Sequence, residues 1–244
     1  MKENRSIDAY NKENRVYKYD DNMNKMHPNR TKMIEIAIEF LPFNQQQSLN
    51  AIDIGIGTGY FSLEFFKKFP QTHIIGVDGA EAMIEIAKLR LDDYVKNIEF
   101  KICDFINLQE INQEKDSIDV VFSSYALHHL NSIEKENLYK ILKSILKKNG
   151  WILYADVIIA DNYEIEERFQ EIRIKNILER TRGNDNRFLD DISTRNYLDD
   201  LEKNENDQPQ SLSKDIELIK NAGFSNVEIL WKEYREMIIC AQNK

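Results

Sequence analysis

Apolar residues along this chain follow two alternating rhythms. Short Ile- and Val-rich runs at Asn50–Ile54, His73–Val77, Ile98–Cys103, Ile118–Ser123 and Trp151–Val157 read as buried strands. Between them the spacing turns helical. Thr58–Phe69 carries Phe61, Phe65, Phe66 and Phe69 as candidate core and stops at Pro70, and Ala80–Tyr94 follows the second strand. Ser132–Lys148 shows Leu138, Ile141, Leu142, Ile145 and Leu146 as an amphipathic stripe. Asn131 or Ser132 can cap its start, and Gly150 stands where a glycine commonly closes a helix. Upstream, Met33, Ile34, Ala37, Ile38 and Leu41 mark a helix over Thr31–Leu41 that Pro42 ends. This alternation predicts an α/β protein with a doubly wound, mostly parallel sheet. Such sheets bind ligands beyond the carboxyl ends of their strands, near the topological switch point. Asp53, Asp78, Asp104, Ser123 and Asp156 all fall at such ends.

The rhythm breaks over residues 158–212. Glu164–Arg182 and Ile192–Lys203 read as helices, and residues 204–210 as a loop. Ser211–Ala222 is a further helix ended by Gly223, and Val227–Trp231 and Met237–Ala241 are two closing strands, for a seven-stranded sheet. The whole chain, 1–244, reads as one domain. Within it, 1–45 form an N-terminal lid and helix, 46–157 the core, 158–212 a helical cover, and 213–244 the last helix and strands. Residues 1–30 are polar with Tyr10, Tyr17 and Tyr19 interspersed, which suits either a frayed terminus or a lid. The helical insert suits either a substrate cover or a surface helical pair.

Composition narrows the function. Of 244 residues, 42% are hydrophobic and 31% charged, as in a soluble globular protein. A net charge of −9 makes a nucleic-acid footprint unlikely, because that needs a basic face. Met1-Lys2-Glu3-Asn4-Arg5 has no signal-peptide pattern, and no apolar run is long enough to span a bilayer. Cys103 and Cys240 then read as reduced core residues of a cytoplasmic protein. Nothing decides against a homodimer.

The candidate chemistry centres on Ala51-Ile52-Asp53-Ile54-Gly55-Ile56-Gly57-Thr58-Gly59, the end of a strand, a tight loop and the start of a helix. The dinucleotide pattern Gly-x-Gly-x-x-Gly fails in both registers, since its third glycine falls on Tyr60 or Ser62. The phosphate-loop pattern is absent too. Asp78 ends the second strand about 20 residues past Gly59, a spacing that suits a ribose contact in a βαβ nucleoside site. The motif Asp-x-Gly-x-Gly-x-Gly resembles the first motif of class I S-adenosylmethionine-dependent methyltransferases. The resemblance runs over roughly Val16–Ala241 and includes Tyr17-Lys18-Tyr19-Asp20, similar to a Tyr-Asp lid, and Ala222-Gly223-Phe224, similar to the approach to an antiparallel last strand. It implies the class I methyltransferase-like Rossmann fold and S-adenosyl-L-methionine as cofactor. It further implies that Asp53 orders the loop and reaches the cofactor's ammonium, with Gly55, Gly57 and Gly59 around it. Asp78 then meets the ribose, and Gly79, Met83, Asp104 and Phe105 the adenine, with Ser123 and Tyr125 also on the cofactor side.

Ser123-Ser124-Tyr125-Ala126-Leu127-His128-His129-Leu130 lacks the Asn/Asp-Pro-Pro-Tyr/Phe element of amino-directed nucleic-acid and glutamine methyltransferases, and the Pro-Cys nucleophile of carbon methylation. It resembles small-molecule methyltransferases instead. His128 or His129 suits a general base, or else a cap or a hydrogen-bonded core residue. Asp156 can face the acceptor, and Tyr19 can reach it from the lid. No metal is expected, because adjacent side chains on a helix or strand point apart. The carboxylate and Asp-Asn pair of cation-dependent O-methyltransferases are also missing, with Ser123-Ser124 in the first place and Asp161-Asn162 too late for the second. The expected activity is methyl transfer to an O, N or S atom of a small-molecule acceptor. Two alternatives stand beside it. One is a carboxy-S-adenosylmethionine synthase-like enzyme, which needs an arginine poised over the cofactor's methyl. The other is a non-catalytic S-adenosylmethionine-binding regulator.

Overall fold

The computed structural model describes residues 5–12, 16–111 and 113–244. Parts of the expected lid, residues 1–4 and 13–15, lie outside them. Seven strands form one sheet: β1 (Asn50–Ile54), β2 (His73–Asp78), β3 (Ile98–Ile102), β4 (Ile118–Ser124), β5 (Leu146–Val157), β6 (Ser225–Glu233) and β7 (Glu236–Gln242). Their order is β3-β2-β1-β4-β5-β7-β6. The first five pair in parallel, and β7 runs antiparallel to both β5 and β6. The switch point lies between β1 and β4, where the chain leaves one half of the sheet for the other.

Among the described residues the α-helices are α1 (Arg5–Tyr10), α2 (Tyr19–Met26), α3 (Arg30–Phe40), α4 (Tyr60–Lys68), α5 (Glu81–Arg90), α6 (Ser132–Ile145), α7 (Tyr163–Thr181), α8 (Asp191–Glu205) and α9 (Leu212–Asn221). Alternate strand residues feed two cores. On one face Phe61, Phe65 and Phe66 of α4 pack with Phe122 and with Met33 and Ile34 of α3. The Phe65 and Phe122 rings stack at 4.7 Å. On the other face Leu138 and Leu142 of α6 and Leu218 of α9 meet Ile52, Val121 and Ile152. Lys135, fully buried, donates to Asp215 at 2.9 Å and to the Tyr154 hydroxyl at 3.0 Å, tying α6, α9 and β5 together.

Several boundaries differ from the pattern. The helix expected to reach Lys148 ends at Ile145, because β5 already begins at Leu146. Asn149, not Gly150, takes the left-handed turn with φ 66°. Gly150 is required by crowding, since a Cβ there would lie 2.9 Å from the Lys147 carbonyl oxygen. The helix expected over Ala80–Tyr94 stops at Arg90 and continues as a 3-10 turn at Asp92–Tyr94. Cys103 lies just past β3, half-buried, with its thiol directed to the Asp104 carbonyl, rather than within the sheet.

The N-terminal and insert segments are one structural unit. Met26 of α2 joins Ile174 and Ile177 of α7, Phe188, and Leu198 of α8 in a small core of their own. Asn162 and Asp190 accept backbone hydrogen bonds at the starts of α7 and α8. The insert is therefore packed against the N-terminal helices, over the carboxyl ends of the strands.

Candidate functional site

Two adjoining hollows open above the strand ends. The first, the cofactor cleft, has the glycine loop as its floor. Gly55 takes φ +68° where a Cβ would lie 2.3 Å from the Ala126 Cβ, so no larger residue fits the crossing of loop and β4 turn. Gly57 takes φ +54° and the space its Cβ would enter is open, with the nearest atom 3.9 Å away. That open face is the bare backbone a ligand can approach. Gly59 caps α4 in the left-handed conformation, at φ +77°. Asp78 accepts hydrogen bonds from the backbone N–H groups of Gly57 and Ala80, each at 2.9 Å. Burial pushes its pKa up to about 6 against these donors. Gly79, Met83, Phe105 and Tyr125 complete the side walls.

The roof of this cleft is N-terminal. Ile7 covers Gly79 so closely that a Cβ there would come within 2.4 Å of its Cδ1. The Tyr10 hydroxyl donates to Glu205 Oε2 at 2.7 Å, joining α1 to the insert. Asp20 fastens the second helix to the glycine loop: Thr58 Oγ1 donates to it at 3.0 Å, Arg30 at 2.7 Å, and Arg90 pairs with its other oxygen. Burial raises the Asp20 pKa, but the two guanidinium groups outweigh it and hold the carboxyl below its usual range.

Four expected cofactor residues stand outside the cleft lining: Gly59, which starts α4, and Asp53, Ser123 and Asp104. Asp53 is buried beneath the loop and accepts from Ser62 Oγ at 2.7 Å; burial pushes its pKa to about 7. Ser123 is buried and donates to the Ile54 carbonyl at 2.7 Å. Asp104 accepts from the Ile106 N–H at 3.2 Å, capping the turn after β3.

The second hollow, termed the acceptor pocket because it holds residues expected to face an acceptor, shares Tyr10, Tyr19 and Tyr125 with the first. His128, on the 3-10 turn Leu127–His129 after β4, lines it. Asp156, fully buried at the end of β5, holds His128 Nδ1 at 2.6 Å and accepts from its backbone N–H at 3.1 Å. Burial disfavours the His128 imidazolium, but Asp156 and Asp207 outweigh it and raise its pKa; His129 is lowered by burial and by its neighbour's charge. Adjacency does not send the two rings apart. On the tight turn their centroids are 4.1 Å apart, and Asp207 Oδ1 lies 2.9 Å from His129 Nδ1 and 3.7 Å from His128 Nε2. The geometric reason for expecting no shared ion therefore fails here.

The opposite wall is charged. Glu202 of α8 pairs with Arg173 of α7 at 2.5 Å and with Arg235 at 3.0 Å. Burial raises the Glu202 pKa, but the two arginines overcome it and bring it down to about 2. Glu236 binds His27 at 3.0 Å and the Tyr125 hydroxyl at 2.7 Å. Among the arginines of residues 158–212, Arg173 lines this pocket, while Arg168 pairs with Glu171, Arg187 with Asp185 and Arg195 with Glu167. Sequence reasoning missed Tyr10, Asp20, Glu202, Asp207, Arg235 and Glu236. Only Asp20, inside the Tyr-Asp element, carried a local signal.

Comparison with known proteins agrees with this architecture. The family described as a methyltransferase domain matches residues 45–238. The carboxy-S-adenosyl-L-methionine synthase of Nautilia profundicola is 24% identical over 214 residues, 88% of this chain and 86% of that protein. An O-methyltransferase family protein from Burkholderia thailandensis superposes with a TM-score of 0.67 at 13% identity, over 97% of this chain and 62% of its own. Phosphoethanolamine N-methyltransferase 2 of Haemonchus contortus, solved with S-adenosyl-L-methionine, gives a TM-score of 0.59 at 18% identity, over 82% of this chain and 38% of that one. Among the described residues no helix is long and apolar enough to cross a membrane.

Proposed function

The chain belongs to the methyltransferase-domain family, and from that premise we propose that it transfers a methyl group from S-adenosyl-L-methionine to an O–H or N–H group of a small molecule. The cleft suits that cofactor: Gly57 offers open backbone, Asp78 a carboxylate for the ribose hydroxyls, and Met83 and Phe105 apolar surface for a base. Bound there, the cofactor supplies an already activated sulfonium methyl. What remains for the chain is alignment and exclusion of water, which can contribute roughly 7–11 kcal/mol. Tyr19 and Tyr125, common to both hollows, mark where the two ligands would meet, and the roof from α1 and α2 lies over that place. His128, held by Asp156, is the group that can receive the acceptor's proton, and Asp156 positions it.

The observation that carries this reading is the junction itself: the cleft over the glycine loop and a pocket with a charged wall share Tyr10, Tyr19 and Tyr125, with an Asp-bound histidine beside them. Calorimetric titration with S-adenosylmethionine, S-adenosylhomocysteine and NAD tests the cofactor. Micromolar binding of the first two and none of NAD is expected. An acceptor panel with S-adenosylhomocysteine release as readout then tests transfer; tight binding without turnover on any acceptor favours a regulator.

A second reading is favoured by the curated relatives and by two arginines in the acceptor pocket. It is a carboxy-S-adenosylmethionine synthase-like activity, in which Arg173 or Arg235 would bind a carboxylate. Both arginines are already engaged by Glu202, which weakens that reading. Incubation with prephenate and mass analysis of the bound nucleoside separates the two: a carboxylated cofactor supports the synthase, unchanged S-adenosylmethionine the methyltransferase.

A further inference from the structure

We propose that His128 Nε2, His129 Nδ1 and Asp207 Oδ1 form a three-ligand site for a divalent transition-metal cation of the zinc type, with an open position facing the acceptor pocket. The three atoms lie within 4.8 Å of one another. A four-coordinate zinc with bonds of about 2.0–2.1 Å sets its ligand atoms roughly 3.3 Å apart. The two separations at Asp207, 2.9 and 3.7 Å, bracket that value.

The second observation is an orphaned pair. His129 Nδ1 and Asp207 Oδ1 are 2.9 Å apart and buried, yet neither has a partner in hydrogen-bond geometry. A ring nitrogen and a carboxylate oxygen this close need a positive charge between them, and the contact misses the line along which an Nδ1 proton would point. A cation in the angle between both atoms and His128 Nε2 satisfies all three at once.

The surroundings fix the ligands as a metal site requires. Asp156 takes His128 Nδ1 at 2.6 Å, which leaves Nε2 as the free lone pair and orients the ring. Asp207 is set by the end of α8: Asn206 turns left-handed at φ 57°, and the Asp207 N–H donates to the Glu202 carbonyl at 2.9 Å. The next residue, Gln208, donates from its backbone to the His128 carbonyl at 2.6 Å and from its side chain to the His129 carbonyl at 3.1 Å. The loop carrying the carboxylate is thus fastened to the turn carrying both histidines. His128 and Asp207 line the acceptor pocket, while His129 lines the cofactor cleft. A cation here would sit at their junction and acidify an acceptor hydroxyl that coordinates it. In the metal-loaded protein this coordination replaces proton uptake by His128; only that consequence rests on the proposed methyl transfer.

The test uses the full chain, stripped with chelator and titrated with zinc alone and with cobalt alone. One zinc per chain is expected, with the visible absorption of four-coordinate cobalt on substitution. Asp207→Asn, nearly isosteric, and His129→Gln should each weaken zinc binding by about 10- to 100-fold or more and remove the cobalt bands. Circular dichroism and melting without metal check that the variants fold; should one not, the other carries the test. No stoichiometric binding by the wild type, or equal affinity in a folded variant, overturns the site. Because no S-adenosylmethionine is present, this outcome is independent of whether methyl transfer occurs.

Discussion

Asp78→Asn is the most informative single change. In the free protein the Asp78 carboxylate accepts from Gly57 and Ala80, each at 2.9 Å, and burial lifts its pKa to about 6. If the ribose hydroxyls donate to the same carboxylate, the ionised form is the binding-competent one. At pH ~5 only about one molecule in ten is then ionised, so apparent affinity for S-adenosylmethionine falls about tenfold from its value near pH 8. The Asn variant keeps one acceptor oxygen and loses the charge, a loss of roughly 1–3 kcal/mol or about 5- to 150-fold in Kd. Its own affinity should not change with pH over that range. Folding linkage runs the other way. The folded-state pKa of Asp78 lies above the ordinary carboxylate value, so its stabilising contribution is present below about pH 4 and lost as pH rises through about 6. Weak binding by the variant near pH 8 therefore cannot be ascribed to loss of a stabilising charge. Asp53, also titrating near neutrality with a pKa of about 7, is separated by Asp53→Asn, which should leave the acidic limb of the profile in place. Calorimetry at several pH values reads all of this. A wild-type Kd that is flat from about pH 5 to 8, together with an Asn variant of equal affinity, would refute the ribose assignment.

Gly57→Val should abolish S-adenosylmethionine binding, because the side chain enters the cleft and its φ of +54° strains a β-branched residue in the loop; calorimetry reads the binding and circular dichroism checks that the strain stays local to the loop. Lys135→Met should lower stability by about 3–5 kcal/mol in denaturant titration, since it leaves Asp215 buried and unpaired, and adding Asp215→Leu should recover much of the loss. Asp20→Ala should release the N-terminal helices from Thr58, Arg30 and Arg90, lowering stability by roughly 1–3 kcal/mol and speeding limited proteolysis before α3. Equal proteolysis of variant and wild type would mean that the latch contributes nothing.

The sheet was readable because burial on both faces leaves a signature that little else imitates. Ile52, Ile54, Val120, Val121 and Phe122 are all buried, so their runs could only be central strands. Boundaries were less readable where packing overrides local preference. Leu146 fits the stripe of α6, yet it pairs with β4 through Ile118 and belongs to β5. Gly150 looks like a helix stop by type, but its requirement is space beside Lys147 and Asp119. The adjacent histidines misled for a related reason. The rule that neighbours diverge holds for helices and strands, whereas Leu127–His129 is a single 3-10 turn after Tyr125 at φ +51°.

The two halves of the site differ in legibility because they are built differently. The cofactor side is made of backbone: glycines with positive φ and a carboxylate gathering N–H groups at a strand end. Those demands restrict residue type at fixed spacing, so Gly55, Gly57 and Asp78 announce themselves. The proposed acceptor side is made of side chains from distant segments: α1, α2, the β4 turn, the end of β5, α7–α8 and the β6–β7 turn. Each member also serves packing or charge balance: Arg173 and Arg235 neutralise Glu202, Glu236 satisfies His27 and Tyr125, and Tyr10 ties α1 to Glu205. Among so many acidic and basic residues, no spacing rule singles these out. Their convergence depends on the small core that Met26 shares with Ile174 and Leu198, since that contact brings the N-terminal helices and the insert to the same strand ends. The roof of the cofactor cleft and the wall of the acceptor pocket are thus one body, which brings Tyr10 and Tyr19 to both hollows, while Tyr125 of the β4 turn stands beneath them on the boundary between the two.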